Sequence, residues 1–251
     1  MASTTLIDHA SELPAQSGGE PPRHEDLYAK RKQIYPKLAH GKFRTIKWIV
    51  MAATLGVYYG LPWVRWNRGE GIPDQAVLAD FSSEKFYFFF IELWPQDIHY
   101  MAGGLILASL LLLLVTSLLG RVWCGYTCPQ TVWTMVFMWI EEKTEGSRNA
   151  RMKLDKAPMS KSKFIKKFNK HSLWLLFGWI TGLTFVGYFT PIRELLIDLF
   201  TFNAHPWAYF WVALFTGATY LFAGWMREQV CTYMCPYARF QAVMFDPDTM
   251  V

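Results

Sequence analysis

The sequence has few cysteines and little charge for its length. Only four of its 251 residues are cysteine and 18% are charged, whereas 52% are hydrophobic and 17% aromatic. No ferredoxin-type run of four closely spaced cysteines occurs. No cleavable secretion signal opens the chain, since residues 1–20 are polar and slightly acidic. This composition excludes an ordinary soluble domain, and nucleic-acid binding is not expected because the basic residues lie beside apolar runs.

Long apolar runs dominate the sequence. Four stretches approach the roughly 20 residues that a helix needs to cross a bilayer; they are 46–64, 98–119, 173–189 and 207–226. We therefore predict an all-α integral membrane protein with four transmembrane helices arranged as two pseudo-repeated hairpins. They would form a membrane domain over 35–251, after a disordered cytoplasmic tail over 1–34.

The segments between the apolar runs have distinct compositions. Residues 76–81 and 85–93 flank a polar turn and predict a small periplasmic β-hairpin. Residues 192–202 predict a brief amphipathic helix. The lysine-rich segment 143–171 predicts a solvated loop that contacts anionic lipid. With the N-terminus in the cytoplasm, 21 Lys and Arg lie on the inner side and 4 on the outer side. This asymmetry predicts that both termini are cytoplasmic.

All four cysteines lie in two matching motifs, each of the form Cys-x-x-x-Cys-Pro with a central tyrosine. The first is Cys124-Gly-Tyr-Thr-Cys128-Pro and the second, 107 residues later, is Cys231-Thr-Tyr-Met-Cys235-Pro. Each motif begins five residues after an apolar run, so both are predicted at the cytoplasmic face. Because disulfides are rare in a reducing cytoplasm, paired thiols there are expected to bind metal or to be redox-active.

The proline after each motif predicts that Cys128 and Cys235 each stand at the N-terminus of a short interfacial helix, over 131–142 in the first case. The partial positive charge of a helix N-terminus lowers the pKa of a thiol and favours the thiolate. Two to four thiolates suit Cu(I), Zn(II) or an iron–sulfur cluster, which would take one pair from each hairpin. A structural zinc site and two unrelated pairs of buried cysteines are the alternatives.

Two histidines are further candidate ligands. His99 opens the second apolar run and His205 precedes the fourth, so both are predicted near the outer membrane surface. They could bind haem or receive copper, or they could be interfacial residues satisfied by water and lipid headgroups. His171 lies among lysines and is predicted to be a polar flanking residue.

Three segments carry a resemblance to a known family. Arg-Val-Trp-Cys124-Gly-Tyr-Thr-Cys128-Pro-Gln-Thr-Val-Trp, Val-Cys231-Thr-Tyr-Met-Cys235-Pro-Tyr-Ala-Arg-Phe-Gln and Phe-Tyr-Phe-Phe-Phe-Ile-Glu-Leu-Trp-Pro-Gln-Asp97 closely resemble cytochrome c oxidase accessory proteins of the CcoG/FixG/RdxA type. The likeness runs from about Tyr35 to the C-terminus. The paired motif is shared more loosely with the membrane parts of the NapH and NosR electron-transfer proteins.

The resemblance implies a bacterial inner-membrane copper reductase. It would convert Cu(II) to Cu(I) for the copper centre of cbb3-type oxidases, with Cys124, Cys128, Cys231 and Cys235 as the copper positions. The implied partners are the oxidase assembly machinery or a copper transporter or chaperone, together with a ferredoxin or quinol electron donor.

This sequence departs from the family in its extent. Family members continue into a ferredoxin-like domain with two [4Fe–4S] clusters, another span and a periplasmic immunoglobulin-like domain. The chain ends at Val251, where the ferredoxin part is expected to begin, so we expect those cluster ligands to be absent from it. Three hypotheses follow: a cupric reductase, a non-catalytic copper chaperone or assembly factor, and an electron-transfer subunit with an iron–sulfur cluster or haem.

Overall fold

The computed structural model describes residues 35, 41–69, 72–81 and 83–244. The predicted tail over 1–34 lies outside these residues. Residues 41–244 belong to one compact unit, Pro36–Val251. Its helices are α1 (Lys42–Gly60), α2 (Ile98–Leu119), α3 (Pro129–Glu145), α4 (Arg148–Lys156), α5 (Lys161–Val186), α6 (Ile192–Phe200), α7 (Pro206–Thr219), α8 (Arg227–Gln229) and α9 (Pro236–Met244).

The predicted apolar runs all fall on helices, with different outcomes. In the described part of the chain, only Pro95–Leu119 is a helix long and apolar enough to cross a membrane, with 25 residues. α5 has 26 residues, but its first half is basic. α7 has 14 residues before the backbone changes to π-helical hydrogen bonding over Tyr220–Trp225. The four spans and their topology therefore stay a prediction.

The prediction of a solvated loop over 143–171 is wrong. α4 and the first part of α5 occupy most of it, and Ser147 and Ser160 precede these helices in extended backbone conformations. Two of its basic side chains, Arg151 and Lys170, are buried. The physical reason is charge pairing, because acidic residues of α3 lie within hydrogen-bond distance of both.

The predicted β-hairpin is a three-stranded antiparallel sheet. β1 (Val77–Asp80) pairs with β2 (Lys85–Phe88), which pairs with β3 (Ile91–Leu93). The predicted second strand over 85–93 breaks because Phe89 adopts a positive φ of 52° and turns the chain back. The predicted hairpin therefore lacked one strand, because its second strand is two strands in the structure.

A buried glutamine attaches this sheet to the second half of the chain. The amide nitrogen of Gln75 donates to the carbonyl of Gly187 at 2.7 Å, and its amide oxygen accepts from the backbone N–H of Ile192 at 3.2 Å. Ile192 begins α6, which agrees with the amphipathic helix predicted over 192–202. Because the amide satisfies two backbone groups away from water, it fixes the sheet to the end of α5.

α5 and α7 approach each other closely around small residues. A Cβ built on Gly182 would lie 2.9 Å from both the hydroxyl of Thr216 and the carbonyl of Val212. Leu183, Val186, Leu195 and Val212 form the buried cluster beside this crossing. A glycine at the crossing lets the two backbones approach, which is the usual role of small residues between apolar helices.

We predict that Gly182→Ala destabilises the protein by about 1–3 kcal/mol, because the new methyl group overpacks the crossing against backbone. Gly217→Ala is the matched control, since a Cβ on Gly217 of α7 meets nothing within 4 Å. Thermal unfolding in detergent measures both variants. Equal midpoints for the two would contradict the close approach.

Candidate metal and electron-transfer site

The two cysteine motifs have the same local backbone geometry. Each is a π-helical turn, Trp123–Thr127 in the first and Val230–Met234 in the second. The amide of Cys128 donates to the carbonyl of Trp123 at 3.0 Å, and that of Cys235 to Val230 at 2.8 Å. α3 and α9 then begin at the prolines, which confirms that Cys128 and Cys235 stand at helix N-termini. Single π-helical turns are rare in proteins, and those that occur are often found at functional sites.

Contacts are exchanged between the two cysteine motifs and the helical segments that precede them. The residue two positions after each second cysteine contacts the helix that precedes the other motif. Gln130 donates from its amide nitrogen to the carbonyl of Phe222 at 2.8 Å. Tyr237 makes a hydroxyl–hydroxyl hydrogen bond with Thr116 of α2. Because these positions correspond in the repeat, the contacts between the two halves of the chain are reciprocal.

One buried side chain contacts a cysteine sulfur directly. The thiol of Cys124 donates to the amide oxygen of Gln241 at 3.5 Å, and the amide nitrogen of Gln241 donates to the carbonyl of Gly120 at 3.4 Å. Gln241 is only 5% exposed and belongs to α9, after the second motif. It therefore joins the first motif to the helix that follows the second.

The four sulfurs are free thiols that influence one another electrostatically. Burial raises the pKa of Cys124 to about 11, and negative charge on Cys128, Cys235 and Cys231 adds to the rise. The pKa of Cys231 is also raised, first by partial desolvation and then by Cys128 and Cys235. Cys124 and Cys231 lie within the π-helical turns rather than at a helix N-terminus, so burial decides the direction of their pKa shifts. Cysteines of both motifs therefore contribute to the electrostatic environment of Cys124.

The four sulfurs do not form a closed coordination shell. No group of three or more His, Cys, Asp or Glu side chains within the described ranges converges closely enough to hold a metal ion. Cys231 is exposed, whereas Cys124, Cys128 and Cys235 are half-buried. The donor set is nonetheless the one that soft metal ions and iron–sulfur clusters require.

A buried carboxylate forms a clamp, defined as Glu141 with Arg151 and Arg227, between the helices that follow the first motif and the segment before the second. Glu141 of α3 accepts two hydrogen bonds from Arg227, at 2.6 and 3.0 Å, and one from Arg151 at 2.8 Å. The Nε of Arg227 also donates to the carbonyls of Ala223 and Gly224, in the π-helical segment ahead of the second motif. Arg227 lies four residues before Cys231, so this clamp fixes the approach to the second motif.

A second set of charges surrounds this clamp. Glu145 pairs with Lys170 at 2.9 Å and with Lys167 at 3.0 Å. The ammonium of Lys170 and the guanidinium of Arg227 both lie over the ring of Trp174, at 5.0 and 5.3 Å. Sequence reasoning missed this cluster because its partners come from separate helices.

One histidine has a different environment from the one predicted from the sequence. His171 is not a simple flanking residue, because its Nδ1 forms a 2.8 Å hydrogen bond with the hydroxyl of Tyr220. His99 and His205 are exposed and make local contacts, to the carbonyl of Gln96 at 3.0 Å and from the amide of Trp207 at 3.4 Å. The ligand and interfacial interpretations of both residues stay predictions.

Comparison with known proteins identifies long stretches of similarity. The chain is 52% identical over 225 residues to the nitrogen fixation protein FixG of Rhizobium meliloti, which covers 90% of the chain and 43% of FixG. It is 51% identical over 224 residues to protein RdxB of Cereibacter sphaeroides, covering 89% of the chain and 47% of RdxB. The methylamine utilization ferredoxin-type protein MauN of Paracoccus denitrificans is 25% identical over 156 residues, 60% of the chain. The chain thus spans less than half the length of each relative.

Two sequence-family models match, and each covers one motif. A 4Fe-4S binding domain matches residues 101–144 and a 4Fe-4S dicluster domain matches residues 226–251. The second match begins at residue 226, whereas similarity to a ferredoxin part was expected from the sequence only from about residue 251. No solved structure is similar to this chain.

We predict that Glu141→Gln lowers the free energy of unfolding by about 3–5 kcal/mol, because it leaves buried guanidinium groups without a counter-charge. Asp74→Asn is the control, since the Arg65–Asp74 pair is exposed and should contribute less than about 1 kcal/mol. Chemical unfolding in detergent measures both. The clamp is refuted if the two variants lose the same stability.

We also predict slow alkylation of Cys124 in the metal-free protein. Only the thiolate reacts, and a pKa of about 11 leaves Cys124 almost wholly protonated at pH 8. Its rate with iodoacetamide should rise with pH until about 11, as measured by peptide mass spectrometry. A rate that levels off near pH 8.5, as for the same cysteine in the unfolded chain, would contradict the raised pKa.

Proposed function

Because the chain belongs to the FixG/RdxA family, we propose that residues 41–244 form the metal-binding part of a membrane electron-transfer protein. Cys124, Cys128, Cys231 and Cys235 would act as one soft-metal site at the cytoplasmic face of the bacterial inner membrane. The observation that carries this proposal is the pair of identical π-helical motifs, joined by reciprocal contacts and each covered by an iron–sulfur family model.

The proposed reaction is the reduction of copper as a substrate. One Cu(II) ion accepts one electron and becomes Cu(I), which supplies the assembly of a cbb3-type cytochrome c oxidase. Thiolate ligands favour the product because Cu(I) is the softer ion. The electron would come from a ferredoxin-type centre or from a quinol. In this proposal the protein is a cupric reductase, and the product passes to the oxidase assembly machinery or a copper chaperone.

A second candidate function follows from the family-model matches. The same four cysteines would hold a [4Fe–4S] cluster, which supplies one-electron transfer when bound. Their side-chain chemistry fits this group, and two cysteines from each hairpin provide the four ligands that such a cluster needs. The protein residues would then bind and orient the cluster, and the exposed side of Cys231 would face the electron donor. A haem held by His99 and His205 is a further alternative.

The membrane location is supported by the surface of α2. Thr116 is the only buried residue among the 22 of this helix. The other side chains are almost all apolar and exposed, which is the pattern of a helix that faces lipid rather than water. The lipid bilayer is therefore proposed as a partner along the length of α2.

Anaerobic metal analysis of the purified protein distinguishes the candidates. An iron–sulfur absorption that disappears when all four cysteines are changed to serine would favour the cluster. A colourless protein that binds Cu(I) through the cysteines favours copper handling, and turnover of Cu(II) with a supplied electron donor then separates a reductase from a non-catalytic chaperone or assembly factor. Unchanged metal content in the four-serine variant would refute a cysteine site altogether.

We predict that Cys231→Ser weakens Cu(I) binding about as much as Cys124→Ser, because a shared site loses one thiolate in either case. Competition with a colorimetric Cu(I) chelator measures both affinities under anaerobic conditions. Loss of binding in only one of the two variants would show that the motifs act separately.

A further inference from the structure

Gln241 is placed between the two halves of the site in an unusual way. Its amide is almost completely buried, and its two ends contact the sulfur of Cys124 and the carbonyl of Gly120. Its counterpart in the repeat, 107 residues earlier, is Thr134, so the first motif alone has an amide at its first sulfur. Within the described part of the chain, no corresponding side-chain hydrogen bond is made by the sulfur of Cys231.

The direction of the hydrogen bond depends on the state of the sulfur. In the metal-free protein the thiol donates to the amide oxygen of Gln241. A sulfur that binds metal has lost its hydrogen and can only accept, so the amide oxygen would then face a second acceptor. A half-turn of the amide about its last side-chain bond exchanges its two ends without changing its shape.

The magnitudes favour this half-turn. The contact from the amide nitrogen to Gly120 spans 3.4 Å, which is long for an N–H···O bond. A hydrogen bond to an ionised sulfur is charge-assisted and roughly twice as strong as a neutral one. The half-turn leaves the amide oxygen facing the neutral carbonyl of Gly120, but it replaces the repulsion between that oxygen and an ionised sulfur with a charge-assisted hydrogen bond. The exchange is therefore favourable once Cys124 is a ligand.

We propose that the amide of Gln241 donates an N–H to the sulfur of Cys124 in the metal-loaded protein and so positions the first motif's thiolate. This inference rests on the proposed function of the four cysteines. Hydrogen bonds to ligating sulfurs orient them and lower their electron donation to the metal, which raises the reduction potential of the site. Gln241 would thus make the two motifs unequal ligands.

The test uses the full chain in detergent and two probes, Cu(I) for affinity and Co(II) for spectroscopy. Gln241→Leu should weaken Cu(I) binding about tenfold, the lower end of the effect of removing a partner of a metal ligand. It should also move the sulfur-to-Co(II) charge-transfer band to longer wavelength, because a sulfur without a donated hydrogen bond releases electrons more easily. Gln241→Ala should behave alike, although it removes more volume.

Gln75→Leu is the control, since it removes another buried amide, whose contacts to Gly187 and Ile192 involve no cysteine. It should lower thermal stability and leave the Co(II) band in place. In a double-mutant cycle, Gln241→Leu should have no further effect on affinity when Cys124 is already serine.

The outcomes separate this inference from the proposed function. An unshifted Co(II) band in both Gln241 variants, or a Gln241 effect that persists without Cys124, overturns the role of Gln241 while the cysteine site stands. A wild-type protein that binds Cu(I) no better than the four-serine variant overturns the proposed function itself.

Discussion

The position of α3 relative to the segment before the second motif depends on the charge of Glu141. Apolar helix surfaces do little to fix the register between helices, whereas a buried carboxylate accepts only a defined geometry. Arg227 satisfies it with a bidentate pair and at the same time caps the carbonyls of the π-helical segment before the second motif. A buried ion pair adds little net stability over an apolar contact, but it penalises every arrangement that separates its members. The clamp therefore defines where Cys231 lies relative to Cys128.

The two cysteine motifs have the same backbone conformation, but their cysteines differ in solvent exposure and in side-chain contacts. Both motifs have the same π-helical turn and the same proline-initiated helix, yet Cys124 is half-buried beside Gln241 and Cys231 is exposed. An electron-transfer site benefits from such inequality, because one side must admit a donor or an ion while the other holds the metal in a fixed geometry. The duplicated motif supplies four cysteine sulfurs, and the surrounding residues give Cys124 and Cys231 different exposure and hydrogen bonding.

Local features of the site could be read from the sequence. The prolines identified the helix starts, and the apolar run over 98–119 coincides with α2. The basic segment 143–171 was wrongly predicted to be a solvated loop. Its lysine and arginine side chains pair with Glu141 and Glu145, and this pairing is visible only in the fold. The turn at Phe89 is equally hidden, since phenylalanine rarely adopts a positive φ. The 107-residue offset did hold an unused signal, because it pairs Gln130 with Tyr237 and so points to the exchange of contacts between the two halves of the chain.

The π-helical turn restricts how the motif can vary in length. Its hydrogen bond, from the residue at the second cysteine back to the fifth residue before it, accommodates one more residue than an α-helical turn does. Shortening the loop by a single residue would restore α-helical pairing and rotate everything beyond it by roughly 100° about the axis. The number of residues between the two cysteines of a motif therefore determines the direction of the helix that follows. An insertion or deletion between the two cysteines of a motif would change the direction of its second sulfur relative to the other motif.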